Sequence, residues 1–209
     1  MRLADGREVR LIGINAPEIG KNGTPDDPLA REARYRTMGL TRGQTVRIEY
    51  GSERFDRYGR TLAYALLADG RDLQEILVRE GLAWYVAIPP NITRLERYRA
   101  AEAEARRLRR GVWSRPEYAP VAAEELKPER SGFIRLAGTV RAVYRRGDYT
   151  DLVIAPMIEL RLPADVVAAL GRSPQSLIGR RVVARGWLTE YKSRHRLRVT
   201  HPAMLEDPS

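Results

Sequence analysis

The stretch Val9-Arg10-Leu11-Ile12-Gly13-Ile14-Asn15-Ala16-Pro17-Glu18 governs the reading of the amino-terminal half of the chain. Val9, Leu11 and Gly13 alternate with Arg10 and Ile12, the two-residue period of a strand. Asp5-Gly6 lies just upstream and is a turn signal, so residues 3–14 read as a β-hairpin. Arg10, Asn15 and Glu18 are then polar groups at fixed spacing along one short segment.

A second segment, Asp56-Arg57-Tyr58-Gly59-Arg60, reads as a turn feeding a strand over 60–67, with another strand over 45–50 before it. Asp27-Pro28 offers an N-cap and a first helical proline for a helix to about Gly39. Asp72 caps a helix carrying Leu73, Ile76 and Leu77, which Gly81 stops. Thr93 caps a strongly charged helix to about Arg110, read chiefly as a solvated face with i,i+4 ion pairs.

The chain has 209 residues, with 37 Lys plus Arg against 27 Asp plus Glu and a formal charge of +10. That size suits two modest domains. The positive balance favours polyanions, nucleic acid before an anionic membrane. Arginine supplies nearly all of it; the lysines are Lys21, Lys127 and Lys192. The absence of cysteine excludes disulfides and thiolate metal sites. No apolar run approaches the ~20 residues of a transmembrane helix. Met1-Arg2-Leu3-Ala4-Asp5-Gly6 lacks the apolar region of a signal peptide.

Residues 115–131 hold three prolines without periodicity and read as a linker between domains at 1–114 and 132–206. The second region shows strand-like segments at 134–144, 149–154, 157–162, 180–191 and 195–200, with a short helix over 164–170 after the third. That order matches an OB-type barrel. Tyr144-Arg145-Arg146, Trp187 and Tyr191-Lys192-Ser193-Arg194 interleave aromatic and basic groups, as a single-stranded nucleic-acid groove would. Trp187 and the tyrosines read equally well as core. His195 and His201 lack acidic or cysteine partners at metal spacing and read as surface or strand-end histidines.

Phosphodiester hydrolysis needs an activated water, neutralised phosphoryl oxygens and an assisted leaving oxygen. A carboxylate suits the first role, and guanidinium groups, which fork onto phosphate, suit the others. Here Val9 to Glu18, Asp56 to Arg60, Leu77-Val78-Arg79-Glu80-Gly81-Leu82-Ala83 and Gly111-Val112-Trp113-Ser114 occur in order. In these motifs the chain resembles the staphylococcal-nuclease-like (thermonuclease) family over nearly all of residues 1–114.

The resemblance implies a β-rich α+β fold, an OB-type barrel with helices, followed here by the second, smaller OB-like barrel. It implies a phosphodiesterase acting on DNA and/or RNA. Arg10 and Arg60 would bind and neutralise the scissile phosphate, and Glu18 would orient or deprotonate the water. Arg57, Tyr58 and Tyr85 would contact the substrate. Calcium is implied as cofactor, with Asn15 where the family has an aspartate ligand and the Ala16 carbonyl as a further oxygen. An amide oxygen is an acceptable ligand but brings no charge, so a weaker site is expected. A catalytically weak nucleic-acid-binding protein and a protein-interaction scaffold are the alternatives.

The family's domain normally opens with a strand bearing an Asp-Gly-Asp-Thr-type motif, and none precedes Arg10. The expectation is that the chain starts partway into the second strand, with a strand and an export signal upstream. The alternative is a metal site with at most one side-chain ligand.

Overall fold

The computed structural model describes residues 1–21 and 23–206. Among the described residues the chain is β-rich with four α-helices, and it divides into two compact units, Met1–Glu117 and a second from Tyr118 onward. No helix among the described residues is long and apolar enough to cross a membrane.

In the first unit β1 (Val9–Leu11), β4 (Thr61–Leu66) and β3 (Arg47–Phe55) form a sheet in the order β1-β4-β3. β1 runs parallel to β4, with Val9 opposite Thr61 and Arg10 opposite Leu62. β2 (Ile14–Asn15) pairs instead with β5 (Trp84–Tyr85). The expected hairpin over 3–14 is therefore only partly formed. Its turn exists: the Gly6 amide donates to Leu3 O at 3.0 Å, and Arg2 bridges Glu8. Gly13, at φ +77°, then bends the chain, so that the strand continuing the motif switches sheets. A Cβ on Gly13 would sit 2.7 Å from the Tyr98 ring, which explains the glycine there.

Three helices pack on this unit: α1 (Ala30–Thr41), α2 (Leu73–Arg79) and α3 (Leu95–Arg107). Asp72 caps α2 as expected, accepting from the Glu75 amide at 3.1 Å. The other two caps differ from expectation. α1 begins after Leu29, held at φ 65°, because the neighbouring carboxylates find nearer donors. Asp27 accepts from the Glu18 amide and Asp26 from the Gly20 amide, both at 2.9 Å. α3 begins after Arg94, which has no capping bond. Arg94 reaches Asp72 at 2.6 Å, also pairs with Glu49, and lies 4.4 Å over the Tyr64 ring. The arginines of α3 pair with acids, Arg97 with Glu75 and Arg106 with the buried Glu102 among them.

In the second unit β7 (Gly132–Thr139), β8 (Ala142–Arg146), β9 (Tyr149–Ala155), β10 (Ile158–Pro163), β11 (Arg181–Tyr191) and β12 (Arg194–Arg198) make up most of one sheet. With β6 (Val121–Ala122) its order is β6-β7-β11-β12-β10-β9-β8, and β13 (Leu205–Glu206) pairs with β11. This is an open path, not a closed ring of strands. The segment expected as a single strand over 134–144 is two strands, broken at Val140-Arg141. β6 lies inside the stretch 115–131 and runs parallel to β7. Helix α4 (Ala164–Ala168) follows β10. Leu152, Leu160, Leu188 and Leu197 are fully or almost fully buried and form the core of this unit.

His195 Nε2 lies 2.9 Å from Pro128 O, and His201 Nδ1 accepts from the Ala203 amide at 3.1 Å. Trp187 sits edge-on to Phe133, with ring centroids 5.2 Å apart.

Candidate active site

The parallel pairing of β1 and β4 fixes the central pair of arginines. Arg10 lies on β1, and Arg60 immediately precedes Thr61, the partner of Val9. Both line a cavity of about 650 Å³, together with Ala16, Arg34 and an apolar wall that includes Val9, Leu11 and Ile14. Arg10 is largely desolvated, and its Nη2 donates to Asn15 Oδ1 at 3.0 Å and to Ile14 O at 3.3 Å. Burial lowers its proton affinity below the ordinary guanidinium value. The charge of Arg60 pushes the same way, and Glu18 and Asp56 oppose it. Arg10, Arg60, Glu18 and Asp56 therefore share one electrostatic neighbourhood.

Arg60 is set by a tight turn. The Gly59 amide donates to Asp56 O at 2.9 Å, and Gly59 takes φ +76°, a left-handed conformation that glycine adopts without a Cβ penalty. Asp56 Oδ1 accepts from the Tyr58 and Arg60 amides, both at 2.9 Å, and Oδ2 accepts from Arg60 Nε at 2.7 Å. Burial pushes the Asp56 carboxyl up, but these bonds outweigh it and hold its pKa below the usual carboxylate range. Asp56 is thus the residue that positions Arg60, a role not visible from composition. The signal for it is an Asp and an Arg four apart around Tyr-Gly.

Glu18 is exposed, on a loop pinned at both ends of a short span. Its amide donates to Asp27 Oδ2, and the Asp27 amide donates back to Glu18 O at 2.9 Å. Tyr58 is 68% exposed, with Arg57 stacked at 4.8 Å and Arg60 at 5.5 Å from its ring centroid. Arg57 Nη2 also donates to the Tyr58 hydroxyl at 2.7 Å. Tyr85 differs from these. It lies buried on β5, and its amide donates to Glu102 at 3.1 Å.

Residues 8–115 match the model of the family described as staphylococcal nuclease homologue. The chain belongs to that family. This staphylococcal nuclease homologue is 40% identical over 113 residues to a thermonuclease of Staphylococcus hyicus, covering 53% of this chain and 66% of the relative. It is 37% identical over 116 residues to a micrococcal nuclease of Shigella flexneri (52% and 62%) and 32% identical over 112 residues to an endonuclease of Bacillus subtilis (53% and 53%). The chain thus spans about half to two thirds of the length of these relatives. The matched segment contains Arg10, Asn15, Glu18, Arg57, Tyr58, Arg60 and Tyr85, and none of the second unit's β-sheet.

The donor set around Asn15 is a poor fit for a calcium ion. Calcium takes six to eight oxygen ligands, charged ones for preference. Asn15 is buried, and its Oδ1 is already occupied by a guanidinium. No group of three acidic, histidine or cysteine side chains suited to a metal occurs among the described residues. For Asn15 to act as a ligand, Arg10 would have to leave its Oδ1.

Proposed function

We propose that the first unit hydrolyses phosphodiester bonds of nucleic acid. The observation that carries this reading is the β1–β4 pairing, which sets a desolvated Arg10 beside Arg60 with Glu18 close enough to affect Arg10's protonation. Two adjacent guanidinium groups, one stripped of water, repel each other unless an anion lies between them. A phosphodiester supplies that anion. Arg60 spends Nε and Nη2 on Asp56, so Nη1 is the nitrogen not engaged by that carboxylate. Arg10 likewise binds Asn15 and Ile14 through Nη2 alone.

In this reading Arg10 and Arg60 neutralise the phosphoryl oxygens, most strongly as charge builds in the transition state. Glu18 accepts a proton from the attacking water as the new P–O bond forms; the ester P–O bond breaks and its oxygen leaves with the electron pair, taking a proton from solvent. Tyr58 and Arg57 offer the substrate an exposed ring and cation beside Arg60. Buried Tyr85 supports the strand bearing Asn15 through the pairing of β2 with β5. No step is assigned to calcium, because the residues present do not fit it.

We read the second unit as an OB-type barrel whose first strand is bent at Val140-Arg141. The Val140 amide donates to Arg180 O, just before β11, and the Arg141 amide to Val153 O on β9, so the bend bonds to two strands that lie apart in the sheet order. Gly138 supports closure, since a Cβ there would lie 2.9 Å from Cβ of Ile154.

The test is digestion of single-stranded DNA and RNA by the purified full chain, with calcium and with EDTA. Release of shorter products supports the assignment. Intact polymer under both conditions overturns it.

A further inference from the structure

The strand register of the second unit gathers charge and aromatic rings on one outward sheet face. Tyr144 lies opposite Asp151, Asp151 opposite Arg161, and Glu159 opposite Arg196. Directly opposed residues share a face of a sheet. The other face is the leucine core already described, so this one is turned to solvent. The matched segment of the family ends before it, at residue 115.

Two carboxylates on this face, Asp151 and Glu159, are fully buried and act as anchors. Arg161 grips Asp151 with two bonds of 2.7 Å. Arg194 and Arg196 reach Glu159 at 2.9 and 3.3 Å, and Arg146 lies 3.3 Å from Asp151. With the exposed Arg198, five arginines face two acids, a surplus of three positive charges. The flanking turn residues Asp148 and Lys192 cancel. The buried carboxylates fix these guanidinium groups in place, with the Arg146 and Arg194 side chains still 48% and 38% exposed.

Three tyrosines share the face. Tyr144 and Tyr191 are each 51% exposed. Arg146 lies 5.8 Å from the Tyr144 ring, Arg161 5.1 Å from Tyr149, and Arg196 4.8 Å from Tyr191. Large exposed rings set among fixed cations match the two demands of single-stranded nucleic acid, stacked bases and neutralised phosphates. A duplex hides its base faces and has no use for the rings, and an acidic protein would use the charge alone.

We propose that this face, formed by β8, β9, β10, β12 and the end of β11, is a second nucleic-acid site that binds single strands by stacking on Tyr144 and Tyr191. Binding there does not depend on cleavage by the first unit. The test is fluorescence anisotropy of a labelled oligothymidylate with the full chain, on a Glu18→Gln background so that the probe stays intact. Adding Tyr144→Ala and Tyr191→Ala should weaken binding roughly 10- to 100-fold. The corresponding Phe substitutions should restore it, since phenylalanine stacks. Arg198→Gln should lower the slope of log affinity against log salt by about 0.7, one phosphate contact on a single strand.

Unchanged affinity in the double Ala variant overturns the proposal. So does equally tight binding of a duplex of the same length, or of heparin, which carries charge without bases. Failure of the phosphodiesterase reading would look different. The chain with native Glu18 would bind the oligonucleotide and leave it uncut.

Discussion

On the proposed reading Arg60 and Glu18 have separable roles, and their variants test it. Arg60→Ala would remove a preorganised donor from the phosphate, and Glu18→Ala would remove the proton acceptor. Each is expected to lower kcat roughly 100- to 1,000-fold while leaving the unfolding midpoint near the parent value, as steady-state kinetics and thermal denaturation will show. Glu18 is exposed and Arg60 only partly buried, so neither supports the core. Asp56 acts through Arg60. Its folded pKa lies below its unfolded value of about 3.8. Its contribution to stability is therefore complete above that unfolded value and is lost as pH falls through the depressed folded one. Asp56→Asn should flatten this acid limb in urea titrations carried out below about pH 4. Because the amide no longer clamps the guanidinium, kcat should also fall at neutral pH.

At the scale of elements, the buried carboxylate of Asp72 ties α2 to the start of α3, beside the Glu75–Arg97 pair. Asp72 caps α2, accepts from the Tyr98 hydroxyl at 3.0 Å, and holds Arg94. Burial pushes the Tyr98 phenol far above its ordinary pKa, with the Asp72 charge adding to it, so this hydroxyl is a permanent donor. Asp72→Ala leaves that donor and a guanidinium short of a partner. A loss of about 3 kcal/mol is expected, measured by urea denaturation. Gly13→Ala strains a left-handed backbone and drives a methyl into the Tyr98 ring. It should cost about 2 kcal/mol and lower the thermal midpoint. The bend at Gly13 sends β1 to β4 and β2 to β5, so the same variant should also reduce activity. A fully active, equally stable Gly13→Ala protein would contradict this account of the bend.

For the whole molecule, a charge of +10 predicts that binding of nucleic acid falls steeply with salt. The log–log slope should be shallower for the single strand than for a duplex with the same number of neutralised phosphates, which titrations between 50 and 200 mM salt will test.

Much of this was legible in the residues themselves. The motifs at Val9–Glu18 and Asp56–Arg60, the Asp72 cap and most strand segments of the second region are local or periodic signals, and local signals survive in a sequence. The caps at Asp27 and Thr93 were misread for a physical reason. Capping groups compete for partners: Asp26 and Asp27 accept from the Gly20 and Glu18 amides instead, and α3 starts after Arg94, which donates to Asp72 and Glu49. The face of the second unit was visible only as scattered Tyr and Arg residues. Their gathering on one surface depends on register, which shifts every side chain to the other face if it slips by one.

The sequence by itself determined the family and the chemical types at Arg10, Glu18 and Arg60, because these are written in contiguous motifs. Only the tertiary structure decided that Arg10 meets Arg60 across a parallel ladder, that Asp56 holds Arg60 in place, and that Asn15's oxygen is spent on Arg10. Each of those is a contact whose energy depends on burial and orientation, and neither quantity exists until the strands are paired.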